Sequence, residues 1–430
     1  MSMKRVLVTL LALLLTAGLA FASGEKESAQ GESAEGGAQQ EVTLNVFQFK
    51  PYLDEAYKSL ADEFDAQHEN VTTEIETKGG GTKWQTILKS KFAADKGPDV
   101  FPVEGPGQYE VWSDFIADLS GEPWIENAVP FALESLNIDG QQMGMPVNLE
   151  GYGYIYNKDI FEEAGVEELP RTLSELQSAA QKIQDAGYTP FATGYSTWWV
   201  MGLHMMNVPF AHQDNPDQFI QALNNGNASI AETAEFQDLK SLVDLTVEYG
   251  EDNPLTTDHN KQVQMFANGQ VAMIQQGVWK EVPIQEANAD INMGLLPMPL
   301  NNNESEMNVV PVGVPFYFAV NSQSSEAEQQ AAKSFLNFLV GSETGQRYMT
   351  EEFGFIPAYK GVSSEGLGGV GKDILKYAGQ DRTVPWVFGN FPDGFADDAA
   401  KQIQAYVAGQ RNWSEVLSNL DQAWQRRASE

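Results

Sequence analysis

Residues 42–103 form the segment that decides the fold, VTLNVFQFKPYLDEAYKSLADEFDAQHENVTTEIETKGGGTKWQTILKSKFAADKGPDVFPV. Apolar residues alternate in three places and predict short strands at 42–47, 71–75 and 99–103. Apolar residues at helical spacing between them predict helices over 54–67 and from Trp84 to the Lys96-Gly97-Pro98 stop. This βαβαβ order predicts a largely parallel sheet with helices on both faces.

The same alternation returns later in the chain. Thr172 and Glu175 form a capping box that begins a helix, and residues 190–193 follow as a strand. Ser325 and Glu328 repeat the box before a helix that we expect to end in a left-handed cap at Gly341. Because 430 residues exceed the size at which one hydrophobic core keeps growing, two α/β lobes are the expected architecture.

The N-terminus has the features of an export signal. Lys4 and Arg5 precede an apolar run at 6–15, and Ala20-Phe21-Ala22 is a small-x-small cleavage pattern. The run is shorter than the ~20 residues that span a bilayer, and there is no cysteine for a lipid anchor. We expect residues 1–22 to be a cleaved signal peptide and the mature protein to be periplasmic or extracellular. Residues 23–40, rich in Gly, Ser, Glu and Gln, predict a disordered linker.

The composition argues against several classes of function. Lys and Arg number 26 against 60 Asp and Glu, so the formal charge is −34, which repels nucleic acid and anionic lipid. The absence of cysteine excludes disulfides, thiolate catalysis, iron–sulfur clusters and cysteine-bound zinc. The four histidines do not have the spacing of a metal site. We expect a monomer with no cofactor, no bound metal and no nucleic-acid partner.

Motifs typical of catalysis are weak. Gly366, Gly368 and Gly371 satisfy G-x-G-x-x-G, but no strand precedes them, so we expect a surface loop. The glycine run 79–81 lacks the GK[ST] ending of a phosphate loop and predicts a turn before a helix. There is no G-x-S-x-G elbow, and acidic pairs such as Glu162-Glu163 lie in polar stretches. These features indicate a protein that is not an enzyme and has no catalytic residues.

Four segments, spread over nearly the whole mature chain, resemble one known family. They are PVNLEGYGYIYNKDIF at 146–161, KGPDV at 96–100, FANGQVAM at 266–273 with Gly277 and Trp279, and FLNFL at 335–339 through FGFIPA at 353–358. They resemble the signature stretch, the G-x-PDV strand entry, the F-x-x-G-x-A-A-M…G-x-W segment and the late "G-x-x-P" ending of bacterial extracellular solute-binding proteins. Members of this family are the sugar-binding receptors of ABC importers.

The resemblance implies a fold and a function. The fold would be α/β and two-lobed, the periplasmic-binding-protein fold, with each lobe a mostly parallel sheet flanked by helices and a multi-strand hinge between the lobes. Lobe 1 would contain residues 41–149 and 311–358, and lobe 2 residues 150–310 and 359–430. The protein would capture a carbohydrate between the lobes by hinge closure and deliver it to the membrane permease subunits of an ABC importer.

A sugar offers apolar C–H faces and a rim of hydroxyls, so its site needs flat aromatic rings and hydrogen-bonding groups. Trp279 lies where the family places a stacking tryptophan. Tyr195, Trp198 and Trp199 resemble the family's aromatic cleft loop and follow a predicted strand end, where ligands of open α/β sheets collect. Glu150 matches a family carboxylate that binds sugar hydroxyls, and a charge within an apolar run is costly unless it is used.

The remaining candidates lie at the ends of elements or in a late aromatic loop, VPWVFGNFPDGF at 384–395, where the match to the family is poor. Each could point into the cleft or only cap or pack an element. These candidates are Lys50, Tyr52, Trp84, Glu104, Trp386, Phe391 and Asp393.

Two alternatives to a sugar receptor stay open. The same receptor could bind a polyamine, an amino acid or a phosphorylated polyol, because one fold hosts many ligands. The surplus of aromatic residues favours sugar, whereas several basic residues converging on the cleft would favour an anion. A secreted glycosidase would need two carboxylates ~5 to 9.5 Å apart, and no spacing in the sequence forces such a pair together.

Overall fold

The computed structural model describes residues 41–79 and 83–429, so the expected signal peptide and linker, and part of the turn at 79–81, lie outside the described residues. Strands and helices alternate along the described chain. The strands are β1 (Val42–Gln48), β2 (Val71–Thr77), β3 (Val100–Val103), β4 (Asn137–Ile138), β5 (Gln141–Gln142), β6 (Met145–Pro146), β7 (Asn148–Asn157), β8 (Thr189–Ala192), β9 (Val271–Gly277), β10 (Met293–Leu296), β11 (Val310–Gly313), β12 (Tyr317–Val320), β13 (Ile356–Pro357) and β14 (Thr383–Pro385).

The helices vary from one turn to more than four turns. They are α1 (Asp54–Asp65), α2 (Trp84–Phe92), α3 (Pro106–Trp112), α4 (Pro130–Glu134), α5 (Lys158–Glu163), α6 (Leu173–Asp185), α7 (Met206–Ala211), α8 (Pro216–Asn224), α9 (Ala234–Glu248), α10 (His259–Ala267), α11 (Glu281–Ala287), α12 (Glu304–Met307), α13 (Glu326–Gly341), α14 (Glu343–Arg347), α15 (Gly369–Ala378), α16 (Phe395–Val407) and α17 (Trp413–Ala428). A wider helical turn at Val200–Met205 precedes α7.

The first sheet has the strand order β2-β1-β3-β12-β6. Strands β1, β2 and β3 are parallel, and β12 lies antiparallel to both of its neighbours. The βαβαβ unit predicted for residues 42–103 is therefore confirmed. Helix α2 ends at Phe92, earlier than the predicted stop at Lys96-Gly97-Pro98, because the chain leaves the helix through a turn in which Asp95 takes a φ of 53°.

The second sheet is built around β7, which is buried along its whole length. Its main order is β14-β11-β7-β9-β8, and β10 and β13 also pair with β7. Strand β7 is antiparallel to β9, β10, β11 and β13, whereas β8 is parallel to β9 and β14 is parallel to β11. Strand β7 therefore runs opposite to all four strands that pair with it, whereas the other two pairs in this sheet are parallel.

The chain passes between the two sheets more than once. It leaves the first sheet between β6 and β7 at Val147, returns between β11 and β12 at residues 314–316, and reaches β7 again through β13. Helix α13, which lies between these last two crossings, packs against β1 and β12 of the first sheet. The predicted α/β fold with two lobes and crossing strands is confirmed, but the expectation of mostly parallel sheets is wrong. Both sheets are mixed, because β12 and β7 run antiparallel to their neighbours.

Both predicted capping boxes are confirmed. Thr172 begins α6 and Ser325 begins α13, each with the reciprocal hydrogen bonds to the glutamate three residues later. Helix α13 ends at Gly341 as expected, but the expected left-handed cap is absent. The chain leaves the helix through Ser342 in an extended conformation (φ −90°, ψ 153°), and its side chain accepts a hydrogen bond from the Gly345 N–H of α14.

The expectation of a surface loop is confirmed for Gly366, which lies in an exposed turn, but it is wrong for Gly371, which lies within a helix. Helix α15 begins at Gly369 and includes Gly371, and the carboxylate of Glu281 accepts hydrogen bonds from the N–H groups of Val370 (2.8 Å) and Gly371 (3.0 Å). A side chain distant in sequence therefore satisfies the first turn of this helix. Within residues 41–79 and 83–429, no helix has the length and apolar character needed to cross a bilayer.

Candidate ligand-binding site

A cavity of about 160 Å³ lies where strand ends of the two sheets meet. Its walls come from residues that follow β1, β3, β8, β9, β11 and β14, from one residue of β7, and from the first residues of α2 and α10. This is the position at which ligands of open α/β sheets collect. The lining residues are Phe49, Lys50, Pro51, Tyr52, Trp84, Glu104, Glu150, Trp198, Trp199, Leu203, His204, His259, Trp279, Lys280, Pro315, Trp386 and Phe388.

Most of the candidates from the sequence lie on the wall of this one cavity. They are Lys50, Tyr52, Trp84, Glu104, Glu150, Trp198, Trp199, Trp279 and Trp386. They are spread over more than three hundred positions of the chain, and the fold brings them together. The structure does not place Tyr195, Phe391 and Asp393 among the lining residues.

These three residues have other roles. The Tyr195 ring is buried, and its hydroxyl lies 2.6 Å from Thr246 Oγ1, because the chain turns at Gly194 (φ 68°) and sends the next side chain into the core. Phe391 packs against Phe210, with ring centroids 4.6 Å apart. Asp393 is exposed and pairs with Lys89 at 2.9 Å.

Sequence reasoning missed eight lining residues. They are Phe49, Pro51, Leu203, His204, His259, Lys280, Pro315 and Phe388. The strand-end argument that favours Lys50 applies equally to its neighbour Phe49. Lys280 directly follows Trp279, the position that the family resemblance identifies. No sequence signal distinguishes His204 and His259, because the spacing of the histidines bears only on a metal site.

Aromatic rings form one wall of the cavity. The Trp279 ring lies 6.3 Å from Trp199 and 6.2 Å from Trp386, both nearly perpendicular to it, and 4.8 Å from the His204 ring. Gln276 Oε1 accepts a hydrogen bond from Trp279 Nε1 at 2.9 Å and fixes this ring. On another side, Phe49 stacks on Trp84 with ring centroids 4.8 Å apart.

The position of the Trp279 ring explains why a glycine, Gly277, stands two residues before it. The Trp279 ring folds back over Gly277, and a Cβ at position 277 would lie 2.3 Å from that ring and 2.4 Å from the backbone oxygen of Gly151. Distances this short are far inside van der Waals contact, so only glycine leaves room for the ring in this orientation. The G-x-W spacing is therefore a packing requirement of the cavity wall.

Lys50 and Glu150 form a buried ion pair in the cavity wall. Lys50 Nζ lies 2.6 Å from Glu150 Oε1, and the two side chains are only 9% and 3% exposed. Asn148 Nδ2 donates a further hydrogen bond to Glu150 Oε1 at 3.3 Å. The Lys50 ammonium also lies within 6 Å of the centroids of three phenylalanine rings. Glu150 therefore already has a charged partner within the protein.

Burial shifts the other titratable groups of the cavity. It raises the pKa of Glu104 to about 7, against a hydrogen bond of 3.0 Å that Gln85 Nε2 donates to this carboxylate. Burial, with Lys50 nearby, lowers the pKa of Lys280 to about 8. Burial also lowers the pKa of His204 to about 3 and that of His259 to about 4, so both rings are neutral at pH 7.

Several buried polar atoms of the lining residues have no hydrogen-bond partner in the described protein. They are Tyr52 Oη, Trp198 Nε1, Trp386 Nε1, His204 Nδ1 and His259 Nδ1. Buried polar groups are nearly always paired, so the unpaired atoms on these lining residues are candidates for contact with a polar ligand. Flat rings together with unpaired donors and acceptors provide the two kinds of contact that an amphipathic, hydroxyl-rich molecule needs.

The fold and this cavity define a two-lobed ligand-binding protein. The chain belongs to the bacterial extracellular solute-binding protein family, which it matches over residues 50–346. The family predicted from the four sequence segments is therefore confirmed.

Individual relatives are distant. An uncharacterized ABC transporter extracellular-binding protein of Pyrococcus horikoshii is 24% identical over 348 residues, which are 76% of this chain and 74% of the relative. The maltotriose-binding protein of Pyrococcus abyssi is 23% identical over 321 residues, 72% of this chain and 65% of the relative. An sn-glycerol-3-phosphate-binding periplasmic protein of Rhizobium meliloti is 27% identical over 241 residues, about half of each chain. Among solved structures, a chitin oligosaccharide binding protein superposes with a TM-score of 0.77 at 19% identity, over 90% of this chain and 99% of that one.

Proposed function

We propose that this protein is an exported, monomeric receptor that captures a carbohydrate between its lobes and delivers it to the permease of an ABC importer. One observation carries the proposal, namely a cavity at the strand ends of both sheets that combines tryptophan rings with unpaired polar atoms. A pyranose ring matches this combination, because its C–H faces stack on aromatic rings while its hydroxyls hydrogen-bond to polar groups. The names of the maltotriose-binding relative and of the chitin oligosaccharide-binding neighbour support the same class of ligand.

The proposed contacts divide between the two lobes. Trp199, Trp279 and Trp386 supply ring faces from lobe 2, and Trp84 with Phe49 supplies them from lobe 1. Tyr52 Oη and the two unpaired indole N–H groups are the first candidates to bond sugar hydroxyls. Glu104 faces the cavity from lobe 1 with a pKa of about 7, so it can accept or donate a hydrogen bond near neutral pH.

The proposed lobes are those expected from the sequence, residues 41–149 with 311–358 and residues 150–310 with 359–430, with β7, β11 and the crossing segments as the hinge. A ligand that touches both lobes favours the closed form over the open one. Saturating sugar should therefore reduce the radius of gyration in small-angle scattering. Scattering curves that superimpose with and without a bound sugar would count against hinge closure.

The proposal also includes the route by which the protein leaves the cell. Residues 1–22 would direct export and be removed before Ser23, leaving a periplasmic or extracellular protein without a lipid anchor. Mass spectrometry of the protein isolated from its native cells tests this, because retention of residues 1–22 or an acyl adduct contradicts it.

Replacement of one ring tests the carbohydrate site. Trp279→Ala removes a stacking face worth ~1.5 to 3 kcal/mol, a loss of roughly tenfold to over a hundredfold in affinity by calorimetry. Phe131→Ala is the matched control, because Phe131 is an exposed ring (47%) that does not line this cavity. A Trp279→Ala protein that binds sugar with unchanged affinity, or a wild type that hydrolyses the sugar, would overturn the receptor site as proposed.

The glycerol-phosphate-binding relative, which matches about half of this chain, supports a second candidate, a phosphorylated polyol. A thermal-shift screen with neutral sugars and glycerol 3-phosphate separates the two candidates, since a ligand that binds only the folded state raises the melting temperature.

A further inference from the structure

Lys280 is a largely buried lysine whose ammonium has no partner in the described protein. Its side chain follows Trp279 on the cavity wall, and the residue is only 9% exposed. Within residues 41–79 and 83–429, Lys280 makes neither a hydrogen bond nor an ion pair. Lys50, in the same cavity, pairs with Glu150 at 2.6 Å. Lysine is almost never this deeply buried unless it is paired, so Lys280 requires an explanation.

The charged groups around Lys280 do not neutralise it. The two that act on it are Lys50, which repels it, and Asp258, which attracts it. Asp258 is exposed, and its carboxylate is occupied at the start of α10, where it accepts hydrogen bonds from the N–H groups of Asn260 (3.0 Å) and Lys261 (2.8 Å). The neighbouring His259 is neutral at pH 7 and cannot balance a positive charge.

The cavity therefore has a surplus of positive charge when Glu104 is protonated, although the whole chain has a formal charge of −34. Lys50 and Glu150 cancel each other, and Glu104 lies between its two protonation states near neutral pH. Lys280 is the charge that remains. A buried charge is stable only when it is paired and hydrogen-bonded, so the natural complement of this wall is an anion.

The unpaired polar atoms of the lining residues agree with this conclusion. The indole N–H groups of Trp198 and Trp386 can only donate hydrogen bonds, and the hydroxyl of Tyr52 can donate one. A carboxylate or a phosphate offers several acceptor lone pairs in one place, and its bonds to charged donors are about twice as strong as neutral ones. A neutral hydroxyl could also accept from Lys280, but it would leave the charge uncompensated.

We infer that the ligand of this cavity is an acidic carbohydrate, whose carboxylate or phosphate substituent pairs with the Lys280 ammonium. The inference rests on the proposed carbohydrate receptor and specifies the class of sugar that it takes. The sugar ring lies against the tryptophan faces, and its anionic group lies at the junction of β9 and α11.

Matched pairs of neutral and acidic sugars test the inference. The panel contains glucose with glucuronate, galactose with galacturonate, short oligogalacturonides, glucose 6-phosphate, glycerol 3-phosphate, and the neutral oligosaccharides maltotriose and raffinose. Thermal shift selects the compounds that bind, and calorimetry measures their affinities for the wild type, Lys280→Met, Lys280→Arg and Lys376→Met. Lys376 lies on an exposed face of α15 and controls for the loss of one positive charge elsewhere.

We expect an acidic compound to bind wild type about tenfold to a hundredfold more tightly than its neutral partner. Lys280→Met should remove this preference, whereas Lys280→Arg should keep much of it and Lys376→Met all of it. The arm that binds, uronate or phosphate, identifies the anionic group. Binding of neutral sugars at equal or higher affinity, or an acid preference that survives in Lys280→Met, overturns the inference and leaves the receptor standing. A panel in which no compound binds counts against both.

Discussion

Replacing Lys280 by methionine should stabilise the ligand-free protein at pH 7. Methionine has a similar length and flexibility but no charge, so it removes the cost of holding an unpaired ammonium in the cavity wall. Burial lowers the pKa of Lys280 from 10.5 to about 8, and each pKa unit corresponds to ~1.4 kcal/mol. The free energy of unfolding should therefore rise by about 3 kcal/mol.

The gain should depend on pH in a defined direction. Below pH 8 the lysine is protonated in both the folded and the unfolded protein, so the folded state bears the full cost. Between pH 8 and 10.5 the folded protein releases the proton while the unfolded chain keeps it, and wild-type stability rises relative to the variant. Above pH 10.5 both states are neutral at this position, and the difference should disappear.

Scanning calorimetry of both proteins between pH 7 and 10.5 measures this effect. For the body formed by residues 41–430, an unfolding entropy of ~2 cal/mol/K per residue converts about 3 kcal/mol into a rise of roughly 4 °C in melting temperature at pH 7. Lys376→Met, on the exposed face of α15, should show no such pH-dependent gain. A Lys280→Met protein that melts at or below the wild-type temperature at pH 7, or a gain that stays constant up to pH 10.5, refutes the reasoning.

Three further perturbations probe the same cavity. Glu150→Gln leaves the Lys50 ammonium buried without a counter-charge, so urea denaturation should show a loss of ~3 to 5 kcal/mol, and an unchanged midpoint would contradict a buried ion pair. Gly277→Ala should displace the Trp279 ring, which a Cβ would approach to 2.3 Å, and should alter tryptophan emission and weaken sugar binding; wild-type emission would contradict this packing. Asp393→Asn with Asp397→Asn removes two exposed ion pairs of 2.9 Å between the proposed lobes, each worth ~0.2 to 1 kcal/mol at low salt. Sugar affinity of this double variant should depend less steeply on salt concentration than that of wild type, and a salt response equal to that of wild type would show that the pairs do not contribute to closure.

Local patterns explain why much of the fold could be predicted. The strands and helices of residues 42–103 follow from apolar spacing, and the capping boxes at Thr172 and Ser325 depend on two residues three positions apart. The end of α13 could not be predicted with the same security. The chain leaves α13 at Ser342, whose side chain caps the following helix α14. The geometry at this end of α13 is therefore determined by the start of α14 as well as by Gly341.

In the candidate site, too, local features could be predicted from the sequence, whereas contacts between distant segments could not. Family resemblance and the cost of an unused charge in an apolar run were enough to propose Trp279 and Glu150. They could not show that Glu150 already has a partner in Lys50, nor that Lys280 has none among residues 41–79 and 83–429, because both facts depend on contacts between distant segments. Within the loop after β8, the conformation of Gly194 directs Tyr195 into the core, and this rotation cannot be read from a run of aromatic letters.

The first sheet cannot be completed until β12, one of its central strands, has been synthesised. It lies in the first sheet between β3 and β6, although its residues, Tyr317–Val320, come long after Met145–Pro146 in the sequence. At ~5 to 20 residues per second, a ribosome needs roughly 9 to 35 s to travel from residue 146 to residue 320. Throughout that interval the earlier strands lack the neighbour that joins them. The nascent chain therefore cannot complete its first sheet until residue 320 has been synthesised.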